Sequence, residues 1–319
     1  MDKSPAFTHS DHINALKRLR GASRVSIFGF PRLVADQAAM LSDRGWDCDP
    51  MRTNYALRVP FTDVVYQLGG AVIPSYLFQA CKLLNKPIVK HWIGTDVLRA
   101  KEPIVQRQAA ASFVKHWTVA PWLRTELRLA GIDATYVPIG SVSLVKPCSL
   151  PPAPLTVLSY MPGKKFEFYG GQTILSLAQT YADIMFLVVG NEGVPEKLPS
   201  NVQCLGFQSS MEVIYGRCHV LLRIARHDGL SHMILEALNY GRHAIWTHEF
   251  TGVLGAKNDD EAATHLRALR TELMSGALHE NDIGRDYVRR NFSTSTTMTR
   301  ISNELQAVVQ RATSAVGQA

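Results

Sequence analysis

Short apolar runs rich in β-formers alternate along the whole chain with longer segments of helical spacing. Arg24 to Phe30 (RVSIFGF) predicts a strand, and the next fifteen residues predict a helix whose Leu33, Ala38 and Leu41 share one face and which Gly45 closes. The alternation continues with a strand at Asp63 to Leu68, a helix at Ser75 to Asn85, a strand at Lys86 to Gly94 and a helix at Pro103 to His116. A strand at Trp117 to Pro121, a helix at Trp122 to Ile132 and a strand at Ala134 to Gly140 complete the first half. Strands separated by helices at this spacing imply βαβ units and a parallel sheet.

Pro147, Pro151, Pro152 and Pro154 interrupt the pattern, so the domain boundary is expected here, giving residues 1–147 and 148–319. Beyond it the alternation restarts with strands at Thr156 to Tyr160, Ile184 to Gly190, Asn201 to Gly206, His219 to Ile224 and His243 to Thr247. Helices are read at Gly170 to Tyr181, Ser210 to Cys218 and Met233 to Tyr240. Met298, Ile301, Leu305, Val308 and Val309 then recur at helical spacing, which marks a terminal amphipathic helix that docks, in this reading, on the first domain. The expected fold class is α/β, with two doubly wound, Rossmann-like domains facing a cleft. A chain of 319 residues accommodates two such cores.

With 46% hydrophobic and 19% charged residues, the composition is that of a folded chain and argues against disorder. The first twenty residues carry no apolar h-region and no apolar run reaches membrane-spanning length, so a cytoplasmic location is expected. Five scattered cysteines with no C-x-x-C pair support neither a disulfide framework nor a zinc ribbon. The net charge of +7 is unevenly divided. Residues 1–150 hold 19 Lys and Arg against 11 Asp and Glu, a net of +8, which leaves −1 for the rest. A basic first domain suits phosphorylated ligands or an anionic membrane surface. Nucleic acid is disfavoured, because the basic residues are not interleaved with a stacking aromatic platform.

The stretch RHDGLSHMILEALNYG, from Arg226 to Gly241, carries the most chemistry. Ser231 is read as the N-cap of a helix that Gly241 ends, and the unpaired N–H groups of its first turn, including those near Leu230 and Ser231, form a ready anion site. Gly229 permits a ligand to approach the backbone. Glu236 is then placed to accept hydrogen bonds from the hydroxyls of a nucleotide ribose, and Asp228 to face the group beyond the distal phosphate.

The D-x7-E spacing of Asp228 and Glu236, in DGLSHMILEA, resembles the E-x7-E motif of retaining glycosyltransferases of family 4, which have the GT-B fold. The text around it, from Thr156 to about Gly252, is similar to that family's second domain, with Asp228 in place of its first Glu. The resemblance implies a nucleotide-sugar donor bound by the second domain and a glycan or polyprenol-linked acceptor presented by the first. No metal or other cofactor is implied. It further implies an Arg and a Lys five residues apart after the first strand of the second domain. Here Tyr160 stands in place of the Arg and Lys165 is retained, and Lys164, Arg223 and Arg226 are the candidates to supply the missing charge. By the same resemblance His91 contacts the donor hexose, and Asp96 binds the acceptor or, if the enzyme inverts, serves as general base. Gly29, in FGFP, is read as a glycine loop facing the cleft; because it is not G-x-G-x-x-G, a nicotinamide cofactor is disfavoured. Two metal motifs are discounted. The D-C-D run at Asp47 to Asp49 follows a helix end rather than a strand, and His227/His232 and His243/His248 lack the i, i+4 spacing of a helical zinc pair. A nucleotide-sugar epimerase and a non-catalytic binding module remain as alternatives on the same scaffold.

Overall fold

The computed structural model describes residues 21–51, 55–146, 148–190 and 197–316. The expectation drawn from the first twenty residues, that no secretion signal precedes the domain, lies outside them.

Twelve strands among the described residues form two six-stranded sheets, every pairing parallel. The first holds β1 (Arg24–Gly29), β2 (Asp47–Pro50), β3 (Val64–Leu68), β4 (Ile88–Trp92), β5 (Val114–Thr118) and β6 (Thr135–Tyr136), in the order β2-β1-β3-β4-β5-β6. Its helices are α1 (Pro31–Ser42), α2 (Tyr55–Arg58), α3 (Ser75–Leu83), α4 (Pro103–Ala109) and α5 (Pro121–Leu129). The second sheet holds β7 (Thr156–Tyr160), β8 (Met185–Val189), β9 (Val202–Gly206), β10 (Val220–Arg223), β11 (His243–Trp246) and β12 (Leu254–Gly255), in the order β12-β11-β10-β7-β8-β9. Helices α6 (Gly171–Thr180), α7 (Glu212–Gly216), α8 (His232–Asn239), α9 (Asp259–Met274), α10 (Asp282–Phe292) and α11 (Thr294–Val316) follow. All five residues of β3 and all five of β4 are buried, as strands covered on both faces must be.

The chain separates into two compact units, one running to Ile139 and including the residues from Thr297 onward, the other spanning Gly140–Thr296. The division therefore falls ahead of the proline-rich stretch. Residues 141–145 explain why: Val142 pairs with Ser293, and the carbonyls of Ser141, Ser143 and Val145 accept hydrogen bonds from His232, Asn239 and Arg289. From α11, Met298, Ile301, Leu305 and Val308 are buried in one core cluster with Val25, Ile27, Val64 and Tyr66 of the first unit. Burying four such side chains contributes roughly 1.5–3 kcal/mol each.

Two readings of local structure are corrected. The helix expected at Pro103 to His116 stops at Ala109, because Val114 to Thr118 pair with Ile88 to Trp92 of β4, and a central-sheet partner overrides helix propensity. The D-C-D run does follow a helix end, that of α1, and is itself part of strand β2, which the sequence pattern did not predict. Its charges are compensated there: Asp49 accepts from Arg58 at 2.7 Å and from Ser26 at 3.3 Å, and Arg24 lies 3.5 Å from Asp49 and 3.8 Å from Asp47. Helices α9 and α10 were not expected from the sequence pattern.

Candidate functional site

In the second sheet the chain leaves β7 to one side for β8 and β9 and returns on the other for β10, so the topology reverses between β7 and β10. Open α/β sheets bind ligands beyond the carboxyl ends of strands at such a reversal. The loops there are drawn together. Gly170 takes the left-handed conformation, φ +74°, and a Cβ on it would stand 2.3 Å from the carbonyl oxygen of Ile224. The amide of Arg226 donates to the carbonyl of Phe168 at 2.9 Å. Beside this junction, at the N-terminus of α6, lies a recess of about 460 Å³ lined by Gly170, Thr173, Ala225, Arg226, Thr247 and Lys257 among others. Arg226 is 68% exposed and reaches Glu167 only at 3.5 Å, a contact that contributes little in water. Two cationic side chains and a helix N-terminus favour an anion in the recess. The hydroxyl of Thr247 is buried without a hydrogen-bond partner in the protein.

Asp228 does not face that recess as a ligand for hydroxyls. Its carboxylate accepts from Arg223 Nε at 2.5 Å and Nη2 at 3.0 Å, and from Trp246 Nε1 at 3.2 Å. Both side chains of the ion pair are about nine-tenths buried. Burial opposes the guanidinium charge, but the hydrogen bonds and charge of Asp228 outweigh it and hold Arg223 above its usual pKa. The guanidinium also lies 5.1 Å from the ring centre of Tyr169 and 5.9 Å from that of Tyr160. Asp228 and Arg223, expected to meet donor hydroxyls and donor phosphates, pair with each other, and the pair ties the loop after β10 to β11.

Glu236 is placed differently. It is half-buried on α8, accepting from the Tyr215 hydroxyl at 2.7 Å through Oε2, with His232 Nδ1 3.1 Å from Oε1. Ser231 is the N-cap as expected, though its side chain makes no capping bond. Gly229 is buried in the bend before it, and Leu230 packs where a Cβ on Gly140 would stand, at 3.2 Å. Lys164 and Lys165 are exposed on a short 3₁₀ turn, Gly163–Lys165, with the Lys165 ammonium 5.9 Å from the centre of the Phe168 ring.

In the first unit the three expected site residues each have close neighbours within the protein. His91 is completely buried. Its Nε2 lies 2.7 Å from the Val137 carbonyl, which only accepts, so Nε2 carries the proton and Nδ1 accepts from the Tyr66 hydroxyl at 2.8 Å. Burial pushes its pKa down to about 3. It is a neutral core histidine with both nitrogens used, not a contact for a hexose. Asp96 folds back on its own loop, accepting from the amides of Gly94 at 2.9 Å and Ile93 at 3.1 Å, and burial raises its pKa. Gly29, with φ +134°, permits the backbone of Leu68 to approach: a Cβ there would be 2.0 Å from the Leu68 carbonyl oxygen.

Tyr215, Trp246, Thr247 and Lys257 were missed by sequence reasoning. Tyr215, Trp246 and Thr247 lie in the stretches that carry the resemblance but were not singled out, and no pattern in the sequence marks Lys257. Among the described residues no group of three or more His, Cys, Asp or Glu side chains is arranged to hold a metal ion, and no helix is long and apolar enough to cross a membrane.

No protein-family model and no curated protein sequence matches the chain. Solved structures do. A glycosyltransferase from Rickettsia africae is similar at 14% identity, with a TM-score of 0.67 over 90% of this chain and 99% of that one. HepE from Anabaena, solved with UDP-glucose, gives 0.68 at 13% identity over 89% and 99%. Sucrose-phosphate synthase from Thermosynechococcus elongatus gives 0.69 at 10% identity over 91% and 100%. The chain has the fold of the GT-B glycosyltransferases, two parallel six-stranded sheets with flanking helices.

Proposed function

We propose that this protein is a metal-independent glycosyltransferase of the family 4 type. In this reading it moves a hexose-type sugar from a nucleotide-sugar donor to a glycan or polyprenol-linked acceptor, with retention, in the assembly of a surface polysaccharide or glycolipid. The observation that carries the reading is the second unit's switch point: a recess with Arg226 and Lys257 at the N-terminus of α6, and Glu236 held beside Tyr215 on α8, within a GT-B fold. HepE, which shares the fold, was solved with UDP-glucose, which supports a uridine diphosphate donor. Cations and helix N–H groups stabilise a departing diphosphate as its charge develops. The acceptor is assigned to the first unit, whose basic character suits peripheral attachment to an anionic membrane on the cytoplasmic side.

The test is the thermal shift produced by UDP, GDP, ADP and CMP, with and without EDTA, in the wild type and in Glu236→Ala, followed by a donor-turnover assay with UDP-glucose. A ligand bound only by the native state raises the melting point. A shift by one nucleotide that survives EDTA and is lost in Glu236→Ala supports the donor site. No shift with any nucleotide removes the reading. The commitment of Asp228 to Arg223, and of His91 to the core, favours a second reading, a nucleotide-sugar-binding module without turnover. That reading requires a shift without any sugar transfer or donor hydrolysis.

A further inference from the structure

Glu236 is a side chain whose direction is set by others. Tyr215, on α7, is buried, and its ring stacks on that of Tyr240 with centres 5.2 Å apart, which presses α7 against the end of α8. Its hydroxyl lies 2.7 Å from Glu236 Oε2 and 3.4 Å from the Met233 carbonyl. Burial first, then the Glu236 charge, pushes the phenol well above its usual pKa, so it remains a donor. On the other oxygen stands His232, one helical turn earlier. Its Nε2 is 2.7 Å from the Ser141 carbonyl and so carries a proton; in the imidazolium form Nδ1 donates to Glu236 Oε1, 3.1 Å away. Tyr215 at one oxygen and His232 beside the other fix the plane of the carboxylate.

We propose that Tyr215 and His232 are positioning residues that orient Glu236 toward the two vicinal hydroxyls of a nucleotide ribose, an inference that rests on the donor-binding function proposed above. Neither residue belongs to the D-x7-E motif. A glutamate on a helix otherwise samples several rotamers, and ordering it on binding costs affinity. A vicinal diol demands both carboxylate oxygens in one geometry, and neighbours that fix the carboxylate plane supply that geometry before the ligand arrives. The consequence is specific: losing Tyr215 or His232 weakens recognition of the diol and leaves recognition of the base and phosphates intact.

Calorimetric titration of the full chain with UDP and with 2′,3′-dideoxy-UDP tests this in the wild type, Glu236→Gln, Tyr215→Phe and His232→Gln. Tyr215→Phe keeps the ring stack on Tyr240, and unchanged melting points show that each variant folds. The wild type is expected to prefer UDP, and Glu236→Gln to lose the preference. Tyr215→Phe and His232→Gln are each expected to weaken UDP about 5- to 20-fold, the worth of one to two hydrogen bonds, while dideoxy-UDP binds within about twofold of wild type. Undiminished preference for UDP in both variants, with Glu236→Gln having lost it, overturns the positioning role alone. Equal weakening of both nucleotides also overturns it, because a merely structural residue would act that way. A wild type that does not bind UDP removes the donor-site reading itself and the inference with it.

Discussion

Lys90 offers the most direct test of the physical reasoning. It lies in the centre of β4 at 1% exposure, its ammonium makes no hydrogen bond, and the nearest compensation is the face of the Trp92 ring, 4.4 Å from Nζ. Burial pushes its pKa down from 10.5 to about 8, with Asp96 pulling the other way. The sign follows from proton counting. Between pH 8 and 10.5 the unfolded lysine holds a proton that the native one has released, so stability rises with pH across that window. At ~1.4 kcal/mol per unit, the native state bears a penalty of roughly 3 kcal/mol at pH 7 for keeping Lys90 charged. Lys90→Met removes the charge at nearly constant volume. The variant is expected to be more stable than wild type by about 2–3 kcal/mol at pH 7, the lower end allowing for the lost cation–π contact. That gap should close as the pH approaches 10.5. Urea unfolding of both proteins at pH 7, 8, 9 and 10, followed by tryptophan fluorescence, gives the difference free of groups the two share. A difference that stays constant with pH, or a destabilised variant at pH 7, would refute the reasoning.

Three further outcomes are expected. Gly170→Ala should lower the melting point well beyond Gly206→Ala: both glycines have positive φ, but only at Gly170 does the added carbon meet a backbone carbonyl, at 2.3 Å, whereas Gly206 has open space. Asp228→Asn should cost about 3 kcal/mol in denaturant unfolding, since it leaves Arg223 charged and nearly buried without its carboxylate; an unchanged stability with lost nucleotide binding would instead return Asp228 to the role of donor ligand. His91, with its pKa near 3, should make the wild type lose stability as pH falls from 6.5 toward 3, because only the unfolded histidine takes up a proton there. His91→Phe should flatten that slope in acid-unfolding curves.

The alternation of strands and helices was legible because period and punctuation are local properties. What failed was whatever depends on a distant partner. Asp47 and Asp49 have no visible partner until Arg24 and Arg58 are brought beside them, and Val114 to His116 read as helix until β4 lies alongside. In β4 every residue is buried, so no alternation of exposure reveals that His91 and Lys90 belong to the interior. At the candidate site the spacing from Asp228 to Glu236 was visible, but their opposite fates were not. Asp228 is taken by Arg223, only five residues earlier, whereas Glu236 is met by Tyr215, twenty-one residues away across a strand. A motif records which residue types stand at which intervals; it does not record which neighbour reaches them first.

The last helix has a consequence for how the molecule is made. Met298, Ile301, Leu305 and Val308 complete the core that Val25, Ile27 and Val64 begin, so the unit whose strands leave the ribosome first lacks part of its interior until residues 298–308 have followed the whole second unit out. The unit spanning Gly140–Thr296 is uninterrupted in the chain and has all its residues earlier. Synthesis order and completion order are thus reversed. In the interval the first unit's apolar surface waits uncovered, and a ribosome stalled before residue 297 would hold one finished unit behind one that cannot close.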